Sequence, residues 1–99
     1  MTYKTILAIL AMAQMAFSQD NLVISGTITA DGEALPYVNV FLEGTSFGTL
    51  SDESGNYKIE NVDSGNYSIV VTVTGYKTQR KSIKLAENTS LDFELNTEI

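Results

Sequence analysis

From Leu22 onward the chain is written in short alternations of apolar and polar residues, broken at intervals by turn formers. Leu22, Ile24 and Ile28 alternate with Val23, Ser25, Thr27 and Thr29, which predicts a first strand with Gly26 on its apolar face. After Asp31-Gly32 and Leu35-Pro36 the alternation restarts, with Val38, Val40 and Leu42 on one side and Tyr37, Asn39 and Phe41 on the other. Phe47 to Ser51 reads as a short third strand. Asn56 to Glu60 is a fourth, with Tyr57 and Ile59 inward. Asn66 to Thr74 is the fifth and longest, with Tyr67, Ile69, Val71 and Val73 on one face and Val70 on the other. Thr78 to Leu85 and Ser90 to Leu95 complete the set. No window repeats apolar residues at helical spacing after residue 18. Seven half-apolar strands with a turn signal about every eight to twelve residues predict two sheets packed face to face.

The turns are set by Gly44, Asp52-Glu53-Ser54-Gly55, Asp63-Ser64-Gly65 and Gly75-Tyr76. Together with Gly26, these glycines and Tyr76 are the positions expected to fix the backbone path. The word Ser-Gly-Asn-Tyr occurs at residues 54–57 and again at 64–67. Each copy reads as a turn followed by the first inward residue of a strand, so the repeat predicts a meander. A solenoid needs a longer period and more copies.

The first eighteen residues follow a different rule. Lys4 precedes the apolar run Ile6 to Ala13, and Ala16-Phe17-Ser18 then offers small residues where a signal peptidase cleaves. This predicts a secretory leader over residues 1–18, cut between Ser18 and Gln19, and one mature domain over 19–99. The apolar run is less than half the roughly 20 residues that span a bilayer. It is followed by no cysteine that a lipid anchor could use.

Charge and composition narrow the chemistry. The 99 residues carry 12 acidic and 6 basic side chains, a formal net charge of −6, and loss of Lys4 with the leader makes it more negative. Such a surface opposes nucleic acid and anionic membranes as partners. With no His and no Cys, a His-based catalytic triad and the usual zinc or copper ligands are excluded. The acidic stretch from Asp52 to Asp63 places Ser54, Asn56 and Asp63 at calcium-loop positions, but Tyr57 stands where such a loop requires glycine. Asp31 and Glu33 read as solvated turn residues. Gly44 to Gly48 lacks the lysine and spacing of a phosphate loop. No cofactor is expected. The remaining cluster is basic: Lys77, Arg80, Lys81 and Lys84 lie close together, the last three on the strand Thr78 to Leu85. Arg80, Lys81 and Lys84 are candidates for contact with an acidic partner, but charges that protect an exposed strand edge are the preferred reading. Two glycosylation-type triplets begin at Asn66 and Asn88, a match that would carry no meaning if the protein were bacterial.

Ile24 to Leu85 resembles the carboxypeptidase regulatory-like domains. The resemblance is carried by Ile24-Ser25-Gly26, by Leu35-Pro36 before Val38-Asn39-Val40, and by Gly44-Thr45 and Gly48-Thr49. It continues in Asp52-x-x-Gly55-x-Tyr57, Gly65-x-Tyr67 and Gly75-Tyr76. It implies a seven-stranded, transthyretin-like (prealbumin-like) Greek-key β-sandwich. It is similar above all to the copies at the N-termini of TonB-dependent outer-membrane receptors of Bacteroidetes, including SusC-like transporters, where a leader, this domain, a plug and a barrel follow in order. The sequence ends at Ile99 before any plug or barrel, so transport is not carried over. Peptidase activity is not either, since in that family the zinc site belongs to a separate domain. The resemblance therefore implies a non-catalytic accessory domain, exported and periplasmic or associated with the outer membrane. Its expected partner is a protein, either the receptor's plug and barrel or an energy-transducing periplasmic protein, with membrane contact only through the receptor. A free-standing secreted sandwich that binds protein or glycan is the alternative.

Overall fold

The computed structural model describes residues 20–98, so the leader and its Ser18–Gln19 cleavage point lie outside the described residues. The described residues form nine strands: β1 (Leu22–Ala30), β2 (Glu33–Ala34), β3 (Asn39–Leu42), β4 (Gly48–Leu50), β5 (Asn56–Val62), β6 (Gly65–Thr72), β7 (Gln79–Leu85), β8 (Thr89–Ser90) and β9 (Phe93–Glu94). No helix occurs among the described residues. The expected seven become nine in two ways. Glu33–Ala34 folds back on β1 as a two-residue strand, and the last predicted strand is split.

The strands form two sheets. One is built on β1, and the other runs β4-β3-β6-β7. Along one edge of β1 lie β5 and then β2, both antiparallel. Along the other edge lie β8 and then β9, both parallel to it. The split between β8 and β9 falls at Leu91 and Asp92, where a side chain replaces main chain: Asp92 Oδ1 accepts the Thr27 N–H at 2.9 Å. In the same way Asn88 Oδ1 accepts the Val23 N–H at 2.9 Å. β5 slips register against β1 between Leu22 and Ile24, where Asn61 adopts a φ of 60°. This is a bulge, with Asn tolerating the left-handed conformation better than most residues.

The core lies between the sheets, on the faces the alternation marks. Ile24, Ile28, Tyr57, Ile59, Val62, Phe93 and Leu95 come from one side, and Val38, Val40, Leu42, Ile69, Val71 and Leu85 from the other. Each fully buried aliphatic side chain contributes roughly 2 kcal/mol against the entropy of folding.

The repeated word does not make a meander. β5 and β6, which its two copies begin, belong to different sheets, and the turn at Asp63-Ser64 carries the chain from one to the other. The copies share a local job instead. Tyr57 and Tyr67 both face inward at the start of a strand, and both donate their hydroxyl to a backbone carbonyl, that of Leu91 at 2.5 Å and that of Asp63 at 2.8 Å.

Candidate functional site

The basic strand β7 ends its sheet beside β6. Pairing places Arg80 opposite Val70, Lys81 opposite Ile69 and Lys84 opposite Asn66. Arg80 and Lys84 therefore share the outer face, while Lys81 stands on the core side of the strand. Arg80 forms a forked pair with Glu43, Nε to Oε2 at 3.2 Å and Nη2 to Oε1 at 3.1 Å. Beneath that level Val70, although on the outer face, is only 2% exposed, with Phe41 and Arg80 opposite it on the two flanking strands. Lys81 reaches across the seam between the sheets. Its Nζ sits 4.7 Å from the centre of the Phe93 ring and 3.5 Å from the Asp92 carbonyl oxygen. The three candidate contact residues are thus not one patch. Parity along the strand is the signal that separates them.

The seam that Lys81 crosses has its own order. The Glu98 N–H donates to Gly75 O, Tyr76 bridges Thr97, and the Lys77 N–H donates to Asn96 O. Further along, Gln79 Nε2 donates to Glu94 O and Lys81 Nζ to Asp92 O. All these partners keep a single antiparallel register. Main chain closes the lower portion of the seam and side chains close the upper portion.

The turn residues fall in several roles. Gly26 is not at a turn but in the middle of β1, where a β-carbon would collide with the Leu91 carbonyl. Gly55, with φ of +79°, is buried in its turn, and a β-carbon there would lie 2.6 Å from Ile28 O. Gly44 and Gly75 sit in exposed connections, Gly65 opens β6, and Tyr76 lies half-buried in the seam. Asp52 spends its carboxylate within its own turn: Oδ1 accepts the N–H groups of Ser54 and Asn56, both at 2.9 Å. Among the described residues, no three acidic side chains converge as a metal site would need.

Three features were not drawn from the sequence. Ser51 is 1% exposed, and its hydroxyl accepts the Val38 N–H at 2.9 Å and donates to Leu35 O at 2.8 Å. Asp20 accepts both the N–H and the hydroxyl of Ser64, at 3.0 and 2.7 Å, and these bonds hold its carboxyl below the ordinary range. Tyr57 has its hydroxyl pushed well above the ordinary tyrosine range, first by burial and then by the nearby negative charge of Asp92. The Tyr57 hydroxyl donates to the Leu91 carbonyl. Concave surface is shallow. An open groove lies over β1 and β5, lined by Ser25, Thr27, Asn56, Lys58 and Asp92, with Leu50 at its side.

Residues 24–99 match the CarboxypepD_reg-like domain family. Among curated proteins, TonB-dependent receptor P3 of Formosa agariphila is 40% identical over 77 residues, which is 76% of this chain and 7% of that receptor. TonB-dependent receptor P39 of the same organism is 35% identical over 88 residues, covering 84% of this chain and 8% of its own length. The chain thus spans less than a tenth of the relatives it matches. Among solved structures, a type II cohesin-X-dockerin complex of Acetivibrio cellulolyticus aligns at a TM-score of 0.70 with 19% identity, over 77% of this chain and 58% of that one. A DUF3823 family protein of Bacteroides ovatus aligns at 0.60 with 20% identity, over 78% of this chain and 45% of that one. These two structural likenesses speak to the fold alone.

Proposed function

The chain belongs to the CarboxypepD_reg-like domain family, and we propose that it serves as a non-catalytic contact module of a TonB-dependent outer-membrane receptor, held on the periplasmic side. The observation that carries this reading is the identity of 40% over 77 residues with a small segment of TonB-dependent receptor P3. The chemistry is in keeping with it. There is no His or Cys, and the one strongly perturbed hydroxyl, on Tyr57, is bonded to main chain. What the molecule offers a partner is sheet surface and strand edge.

On this reading the leader is removed at Ser18–Gln19, the mature domain reaches the periplasm, and the outer face of β7 meets an acidic surface of the receptor or of its energy-transducing partner. Arg80 and Lys84 supply that contact. Exposed cations of this kind steer association and make it sensitive to salt. Lys81 belongs to the seam and contributes indirectly.

The test is capture from envelope extract with the mature chain as bait, at low and at high salt, with bound proteins identified by mass spectrometry. A TonB-dependent receptor or its energy-transducing partner is expected at low salt, and less of it with the double variant Arg80→Glu, Lys84→Glu. Intact Met1 on periplasmic protein, or capture of neither partner, would overturn the reading. Equal capture by wild type and variant would remove β7 as the contact.

A further inference from the structure

The four sheet margins of this molecule are not equally protected. β7 carries Arg80, Lys81 and Lys84, and its side faces the seam closed by the C-terminal segment. β8 and β9 look into that same seam. β5 carries Lys58 and Glu60, paired at 3.4 Å, and bends at the Asn61 bulge. Charges and bulges are the ordinary means of preventing a strand edge from recruiting another strand. β4 has neither. Phe47-Gly48-Thr49-Leu50 contains no charge and no proline, and among the described residues β4 ends its sheet with β3 as its one strand partner.

Three further observations fall on this margin. The ladder to β3 uses Phe47 O, which accepts from the Leu42 N–H, and Ser51, whose N–H donates to Val38 O. Because main-chain groups alternate in direction along a strand, Gly48 and Leu50 turn their N–H and C=O groups away from β3. Next, the exposed large hydrophobic side chains among the described residues are Leu50 at 58% and Tyr37 at 59%. Leu50 is on β4, and the Tyr37 N–H donates to O of the adjacent Ser51 at 2.9 Å. Last, Tyr37 is held at a φ of 59°. A bulky side chain in the left-handed region costs about 1–3 kcal/mol and persists where surrounding structure enforces it, commonly at functional positions.

We infer that β4 is a docking edge that takes an extended, cationic and aliphatic segment of a partner protein as an added antiparallel strand. Gly48 and Leu50 supply the main-chain bonds. Leu50 and Tyr37 receive an aliphatic side chain, and strand addition reads alternate side chains in this way. The charge of the occupant follows from the rim. Glu53 Oε1 lies 3.4 Å from the Tyr37 hydroxyl, and Asp52 and Asp92 line the groove beside Leu50, where Lys58 supplies a single opposing charge. A second copy of this chain is disfavoured by its own negative charge of −6. The docking edge depends on the strand margins alone and stands apart from the receptor reading.

The probe is a fluorescently labelled, end-blocked octapeptide of alternating Lys and Val, titrated into the purified chain by anisotropy and mapped by amide chemical shifts. Two control peptides accompany it, one alternating Glu and Val, and one of Lys and Val with alternate amides N-methylated. Binding of the first peptide alone is expected, with shifts at 47–51 and at Tyr37 and Glu53. Leu50→Lys should weaken binding at least ten-fold with an unchanged melting temperature. Tyr37→Gly should weaken it while raising the melting temperature, since glycine relieves the left-handed strain. No binding, equal binding of the N-methylated peptide, shifts at another edge, or concentration-dependent dimerisation through β4 would each overturn the inference.

Discussion

The carbonyl of Leu91 occupies the place that a β-carbon on Gly26 would need, so β1 and the C-terminal segment approach more closely there than any other residue at position 26 allows. The same carbonyl accepts the Tyr57 hydroxyl, and Tyr57 is the partner of Gly26 across the β1–β5 pair. One missing side chain thus sets the meeting of β1, β5 and the link between β8 and β9.

Gly26→Ala is expected to destabilise by about 3 kcal/mol, the upper range for forcing extra volume into packed structure, because the obstacle is main chain and not a movable side chain. Gly26→Val should leave little folded protein. Urea denaturation followed by circular dichroism measures both, and a cost below about 1 kcal/mol for the alanine variant would contradict the packing described.

Tyr57→Phe removes the donor to Leu91 and should cost about 1–2 kcal/mol. The pH dependence is the sharper readout. The folded-state pKa of Tyr57 is raised, so the folded state holds its proton where the unfolded chain has lost it. The associated stability is full below the unfolded value near pH 10 and declines as pH rises towards the folded value. Melting temperature should fall above about pH 10 in the wild type, and Tyr57→Phe should lose some of that fall.

Ser51→Ala leaves the Val38 N–H and the Leu35 carbonyl without their hydroxyl partner in a buried place. A loss of about 2 kcal/mol is expected. Ser51→Thr, which restores the hydroxyl, should recover stability only to the extent that an extra methyl fits. Faster amide exchange at Val38 in the alanine variant would locate the effect.

Lys81→Glu and Lys84→Glu separate the two faces of β7. Loss of the cation over Phe93 should cost about 1 kcal/mol in the first. The second, on an exposed outer position, should stay within about 0.5 kcal/mol. Equal melting temperatures would remove Lys81 from the seam.

Much of this fold is legible in the sequence because burial on one face writes itself as alternation. Ile24 and Ile28, Val38, Val40 and Leu42, and Tyr57 and Ile59 are buried as their parity requires. Parity does not say which strand lies beside which. The two Ser-Gly-Asn-Tyr words look alike because each starts a strand after a tight turn, yet they start strands of different sheets. Nor does local pattern reveal a break filled from elsewhere, as where Asp92 substitutes its carboxylate for a ladder carbonyl. The basic cluster was legible as composition only. Its division into Arg80 and Lys84 on one face and Lys81 on the other follows from alternation. What Lys81 and Arg80 then touch, Phe93 and Glu43, depends on residues 12 and 37 positions away and needs the fold. Tyr37 gives no sequence signal of its left-handed backbone beyond following Pro36.

The parallel run of β8 and β9 beside β1 has a mechanical consequence. The first and last described strands lie side by side and point the same way. Tension pulling the two ends of the domain away from each other therefore slides these strands along their shared length. The main-chain bonds of Leu91 to Ser25 and Leu95 to Thr29, with the carboxylate bond of Asp92 to Thr27, then bear load together. In a hairpin pulled from its open end, such bonds would break in succession, each carrying the whole force in its turn. The domain is built to resist stretching along its own length better than peeling from its side.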